Sequence, residues 1–205
     1  MQSLATKPFL LDIHSITLRV THEEFEKLCQ DNPELRLELT ATGELIIIAP
    51  AGWESSERNL NLATDVNIWN RQSKMGRAFD SSVGFTLPNG AVKSPDVTWI
   101  EKSKLANIPA GVAFPKVVPD FVIELRFSTG EALPTTSDSL KTLREKMAEY
   151  RSNGVRLGWL INIQQQQVEV YRLGQEVEIL ESPTTLSGED VLPGFTIDLS
   201  SIFSG

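Results

Sequence analysis

No apolar run in these 205 residues approaches the roughly 20 needed to cross a bilayer, and residues 1–11 lack a basic stretch followed by a long apolar one. The chain therefore reads as soluble and cytoplasmic. It holds one cysteine, Cys29, which excludes an internal disulfide. With two histidines, His14 and His22, it has too few soft ligands for a zinc site, so any bound metal is expected to be oxygen-ligated. Positive charge is also scarce. Nineteen Lys and Arg face 27 Asp and Glu, a net charge of -8, which argues against strong, purely electrostatic adhesion to nucleic acid or anionic membrane. A nuclease remains compatible with that balance, because an empty carboxylate metal site is itself acidic and a few local cations can meet phosphates. Repeats, linkers and low-complexity segments are missing, and the short glutamine run 164–167 reads as a polar hairpin loop.

What the chain does contain is ordinary globular composition, 40% hydrophobic and 22% charged, enough for one domain over 1–205. An irregular start (1–12) precedes a short strand (16–20) and a helix opened by the capping-box pattern Thr21-x-x-Glu24. Runs 35–40 and 44–48 around Gly43 predict a hairpin. Leu60, Ala63, Val66 and Trp69 recur at helical spacing and predict the longest helix, from Glu54 to about Met75, with Gly76 as its stop. Short strands at 77–81, 84–87 and 96–100 suggest a meander. Residues 121–127 read as a central strand, and a helix at about 137–152 carries Leu140, Leu143, Met147 and Tyr150 as its inner stripe. A second hairpin, 155–163 with 168–173, is followed by a C-terminal extension, 174–205, with one more strand and a loose terminal turn. This order describes an α/β (α+β) domain, a mixed sheet flanked by helices.

The chemistry concentrates in carboxylates at positions that otherwise call for apolar residues. Asp96 follows Pro95 at the mouth of a strand, and Glu124 lies mid-strand in Phe-Val-Ile-Glu-Leu-Arg-Phe. Alternation puts Glu124 and Arg126 on one face and Ile123 and Leu125 on the other. A carboxylate in such company is costly to desolvate unless a metal or a cation compensates it. Two such groups on neighbouring strands suit Mg²⁺ or Mn²⁺, and a nearby ammonium would orient or deprotonate the attacking water: the Asp…Glu-x-Lys logic. Position 126 is Arg, a charge stabiliser and a poor proton carrier. Lys146, bordering the buried stripe of the following helix, is the candidate ammonium, with a snorkelling border lysine as the plainer reading; Lys141 points further out. An internal ion pair between Glu124 and an Arg is the plainer reading of that carboxylate. Trp53, Trp69, Trp99 and Trp159 read as packing residues, and Cys29 as a small core residue.

The motifs Pro95-Asp96, Phe121-Val-Ile-Glu-Leu-Arg126, Glu145-Lys-Met-Ala-Glu-Tyr150, Asn153-Gly-Val-Arg-Leu-Gly-Trp-Leu-Ile-Asn162 and Val168-Glu-Val-Tyr-Arg172 resemble, in this order, the Uma-type restriction endonuclease family of the PD-(D/E)xK nuclease superfamily. The resemblance runs from about Thr21 to Leu173. It implies a restriction-endonuclease-like fold, a divalent metal, phosphodiester hydrolysis in nucleic acid (DNA first), and a homodimer as a way of presenting two sites to two strands. Carried over, the catalytic roles fall on Asp96, Glu124 and Lys146, with Arg126 assisting. The resemblance adds a carboxylate at the start of the long helix, Glu54 with Glu57 in reserve, although a Glu there also suits the helix dipole. Asp80 is a further candidate, or simply a turn residue. The chain departs from the family pattern at Phe127, where a Ser is expected, and in a long connection, 128–137. Those departures keep a second reading open, a catalytically impaired nuclease-like fold that acts as a binding or assembly module.

Overall fold

The computed structural model describes residues 17–126 and 140–204. The expected irregular start 1–12, the first residue of the 16–20 strand, Phe127 and the 128–137 connection lie outside the described residues.

Helix α1 (His22–Asp31) opens with the expected capping box: Glu24 N–H donates to the Thr21 side chain at 3.2 Å, while Thr21 N–H donates to the Glu24 carboxylate at 2.7 Å. In place of a strand before it there is one isolated bridge, Arg19 to Glu44. Strands β1 (Arg36–Leu39) and β2 (Leu45–Ile48) form the expected hairpin. Helix α2 (Trp53–Ser73) then leads to β3 (Gly76–Asp80), β4 (Phe85–Thr86), β5 (Val92–Lys93) and β6 (Val97–Glu101). The short α3 (Lys102–Leu105), β7 (Phe121–Arg126), α4 (Leu140–Ser152), β8 (Leu157–Asn162), β9 (Gln167–Arg172) and β10 (Glu178–Glu181) follow. The chain closes on β11 (Thr185–Ser187), β12 (Thr196–Asp198) and α5 (Ser200–Phe203).

These strands build a six-stranded sheet in the order β10-β9-β8-β7-β6-β3, a four-stranded sheet in the order β2-β1-β5-β4, and the pair β11-β12. The expected meander fails here. Strand β3 pairs with β6 and β4 with β5, so the chain changes sheets between Asp80 and Phe85 rather than folding back on itself. Strands β7 and β8 run parallel, and α4 provides the crossover that a parallel pair requires.

One face of the six-stranded sheet packs Phe121, Ile123, Trp99 and Trp159 against Leu62 and Val66 of α2; the other packs Val122, Leu160 and Tyr171 against Leu143, Met147 and Tyr150 of α4. The α2 stripe is displaced from its expected line: Leu60 is exposed and Leu62 buried. Trp53 is exposed as well, so it is not a packing residue. Nor is the C-terminal segment a loose extension. Leu192, Phe195, Leu199 and Ile202 belong to the α2-side core, Arg58 donates to the Ile202 carbonyl at 2.9 Å, and the Trp69 indole donates to the Pro193 carbonyl at 3.1 Å.

Two glycines permit close approach. At Gly158 an added Cβ would meet Met147 Cε at 2.6 Å and Val122 Cγ2 at 3.2 Å, so its absence lets α4 lie tight on the sheet. Gly76 is not the stop of α2; that stop is Lys74, in the left-handed conformation at φ 56. Gly76 instead lets β3 start against β6, because a Cβ would fall 2.1 Å from the Ile100 carbonyl oxygen and 2.7 Å from the Trp99 ring. The rigid backbone carbonyl cannot yield as a side chain would. Gly76→Ala is therefore expected to destabilise the protein by about 1–3 kcal/mol, read as a lower urea midpoint; an unchanged midpoint would show that β3 can move away without loss.

Candidate active site

The candidate site lies where the two larger sheets meet beneath α4. Alternation along β1 turns Leu37 and Leu39 into the α1 core and leaves Glu38 on the opposite side, 3% exposed. The same alternation along β7 sends Ile123 and Leu125 to the α2 core and turns Glu124 toward α4. Between these two buried carboxylates stands Lys146, one position before Met147 and four before Tyr150 on the helix. Its Nζ is 2.9 Å from Glu38 Oε1, 2.9 Å from Glu124 Oε1 and 3.5 Å from the Ser94 carbonyl oxygen. An ammonium has three protons to donate, and each finds an acceptor. Lys141, by contrast, is exposed and pairs with Glu145 at 3.8 Å.

A second ring of contacts fixes these groups. The Tyr150 hydroxyl donates to Glu124 Oε1 at 2.9 Å, and Ser94 N–H donates to Glu38 Oε1 at 2.9 Å. Lys93 on β5, 5% exposed, lies 3.7 Å from Glu38 Oε2 and 3.4 Å from Glu149 Oε2. Asp96, half-buried at the entrance to β6, accepts from Leu125 N–H at 2.9 Å and from the Asn59 amide at 3.3 Å. The first of these bonds ties Asp96 to the strand that carries Glu124, and the second ties it to α2. Asn59 Oδ1 is buried without a hydrogen-bond partner.

Burial pushes the Glu124 carboxyl up to about 7; Lys146 opposes that shift, and the negative charges of Asp96 and Glu38 add to it. Burial works against the Lys146 charge too, but Glu124 and Glu38 outweigh it and hold the ammonium well above its usual range. Burial likewise opposes ionisation of Glu38, and there Lys146 and Lys93 win, so its carboxyl is held low. The Tyr150 hydroxyl is raised by burial and by Glu124. At neutral pH the cluster thus has a permanent cation in Lys146, a permanent anion in Glu38, and in Glu124 a group poised to titrate.

The structure brings together Asp96, Glu124 and Lys146. It does not bring in the other carboxylates named from the sequence. Glu54 is turned along its own helix to Arg58, 3.7 Å away, and Glu57 is exposed. Asp80 accepts from Ser82 N–H at 3.0 Å in a local turn, and the Ser82 bonds hold its carboxyl low. Arg126 shares the Glu124 face, but its guanidinium donates to Asn162 Oδ1 at 3.1 Å and Gln164 Oε1 at 3.3 Å, so the plain Glu124–Arg ion pair is not what compensates Glu124. Among the described residues no three His, Cys, Asp or Glu side chains gather as a metal cage.

Sequence reasoning missed Glu38, Lys93 and Asn59, and took Tyr150 only as a core residue. Glu38 carried the signal that exposed Glu124, a carboxylate flanked by leucines in a short strand. Lys93 and Asn59 carried none, since a two-residue strand has no readable period and Asn59 sits on a polar stretch of helix.

The raised Glu124 carboxyl fixes a pH dependence. A group that binds its proton more tightly in the folded state stabilises the fold below its unfolded value, and that contribution is lost as pH rises through the folded one. Metal-free protein is therefore expected to lose stability between pH about 5 and 8, with Glu124→Gln flattening the slope. Urea midpoints across this range check it; equal slopes for the two proteins would place the titration elsewhere.

A crystal structure of a putative nuclease belonging to DUF820 from Anabaena variabilis ATCC 29413 matches this fold with a TM-score of 0.73. The match covers 90% of this chain and 98% of that one at 21% identity, a likeness of fold. Comparison with curated proteins gives no match. Residues 22–200, which include every group of the cluster from Glu38 to Tyr150, match the family described as "Uma2: Putative restriction endonuclease", and the chain belongs to that family.

Proposed function

We propose that the protein is a metal-dependent endonuclease that hydrolyses phosphodiester bonds in nucleic acid, with DNA as the first substrate to try. The observation that carries this reading is the buried Lys146–Glu124 pair beside Asp96, in a chain of a restriction endonuclease family.

The donor set suits a hard divalent cation. Glu38, Asp96, Glu124 and Glu149 outnumber Lys93 and Lys146 in the cluster, the half-buried Asp96 adds its charge at the edge of the buried groups, and the orphaned Asn59 oxygen belongs to the amide that bonds Asp96. Asp96 and Glu124, with Asn59 Oδ1 in support, would hold Mg²⁺ or Mn²⁺. The bound ion would supply Lewis-acid polarisation of the phosphate and a more acidic water. The chain's own groups do the rest. Leu125 N–H and the Asn59 amide fix the Asp96 carboxylate, while Tyr150 fixes that of Glu124. Lys146 keeps its proton at neutral pH, so it orients the attacking water and stabilises charge on phosphate oxygens and does not act as the base. Glu38 holds the ammonium from the other side and Lys93 balances Glu38.

One observation favours a second reading, a binding or assembly module with the nuclease fold. Every Lys146 proton already has an acceptor, as in a purely structural ion-pair network. Cleavage of supercoiled and single-stranded DNA in Mn²⁺ by purified protein, with Asp96→Asn as control, decides between them.

Under the nuclease reading, Asp96→Asn and Glu124→Gln are each expected to lower cleavage by at least ~10²-fold and to remove the rise in melting temperature on adding Mn²⁺. Retention of that rise in both variants would mean that the metal sits elsewhere.

Lys146→Gln keeps hydrogen-bond donors but not the charge. It is expected to abolish turnover while leaving Mn²⁺ binding in place, and Arg126→Lys should neither impair the wild type nor rescue Lys146→Gln, because position 126 faces Asn162 and Gln164. Rates for the two single variants and the double variant test this; rescue by Arg126→Lys would show that the strand position can reach the phosphate.

A further inference from the structure

On a protein of net charge -8, four cations surround one open pocket of about 440 Å³: Arg71, Lys74, Arg77 and Lys102. Asn70 and Leu105 complete its walls, and no Asp or Glu lines it. All four cations are exposed, and none forms an ion pair among the described residues.

Three separate elements deliver these charges. Arg71 lies in the last turn of α2 and Lys74 caps that helix. Arg77 belongs to β3, and Lys102 opens α3. The frame beneath them is held by the Trp99 indole donating to Asn70 Oδ1 at 2.9 Å and by Lys102 N–H donating to the Met75 carbonyl at 2.9 Å. Complementing the α2 dipole accounts for Arg71 and Lys74. It does not account for Arg77 on a strand, nor for Lys102, which belongs to the separate four-residue α3. Like charges drawn together from three elements, with no acid among them, are stable in company with an anion.

We infer that this pocket binds phosphate groups. Two guanidinium forks and two ammonium groups match phosphate oxygens in geometry and charge, and the volume falls in the range of small-ligand sites. It is a place distinct from the carboxylate site. From Asp96 to Lys102 the chain runs the length of β6, roughly 20 Å at strand rise, and from Asn59 to Arg71 along α2 is about 18 Å at helical rise. The phosphates could come from a nucleic-acid strand or from a small phosphorylated molecule. In a duplex, phosphates along one strand are spaced about 3.4 Å apart along the axis, so a duplex strand engaged at Asp96 would reach the pocket about six nucleotides away. That bridging rests on the nuclease reading; the pocket's affinity for phosphate does not.

The test uses the full chain in EDTA, where no cleavage intervenes, with a labelled single-stranded DNA oligonucleotide and with deoxyadenosine monophosphate. The quadruple variant Arg71→Gln, Lys74→Gln, Arg77→Gln, Lys102→Gln alters exposed side chains and should keep the wild-type melting temperature; the double variant Arg77→Gln, Lys102→Gln serves if it does not. For a strand ligand, oligonucleotide affinity at low salt falls at least about tenfold, and the slope of log affinity against log salt shrinks by about 3 in the quadruple variant. For a small ligand, the monophosphate shifts the Gly76 and Lys102 amide resonances in the wild type and not in the variant, with oligonucleotide binding unchanged. Wild-type behaviour of the variant toward both probes overturns the inference. Pocket-dependent binding without any Mn²⁺-dependent cleavage would leave the inference standing and remove the nuclease reading instead.

Discussion

A single buried ammonium holds the site together. Lys146 lies between Glu38 and Glu124 at 2.9 Å from each, and these carboxylates come from two different sheets. Removing a charge from such a network strands its partners in a low-dielectric interior, which typically costs about 3–5 kcal/mol. The contact between the four-stranded sheet, the six-stranded sheet and α4 is thus electrostatic as much as apolar. The proposed catalytic ammonium and the structural pin are the same atom, which is why the two functional readings share one set of distances and part only over chemistry.

That arrangement depends on how the fold presents α4. The parallel β7–β8 pair requires a crossover, and the crossover is the helix that carries Lys146. Gly158 on β8 lets α4 approach, while Arg144, bonded to the buried Glu169 at 2.7 Å, anchors the same helix to β9. On the opposite face α2 and the C-terminal segment complete the core, and α2 also brings Asn59 to Asp96 at one end and Arg71 to the basic pocket at the other. One helix therefore sets the separation between a site of excess negative charge and a site of excess positive charge.

Much of this was legible without coordinates. The capping box at Thr21, the hairpin around Gly43, the central strand through Glu124 and the inner stripe of α4 follow from local rules with a fixed period, and in each of them the pattern and the fold agree. Local rules failed where partners were distant. Strands β3 and β4 look like successive strands of one meander yet pair in different sheets, the α2 stripe moved from Leu60 to Leu62, and the terminal segment proved to be core. Candidates at Glu54 and Asp80 were plausible by residue type and were used locally, by Arg58 and Ser82.

The sequence by itself determined which side chains were anomalous. A carboxylate among aliphatics in a strand must meet a compensating charge, so Glu124 announced a site, and Glu38 between two leucines did so equally. The place of Lys146 beside the buried stripe of α4 offered one candidate charge; that it answers both carboxylates at once, with Lys93 beside it, was decided by tertiary structure. Lys146 and Lys93 are 108 and 55 positions from Glu38 along the chain, Lys93 has no periodic signature, and desolvation, the force that makes the pairing obligatory, exists only once the two sheets and α4 have closed over it.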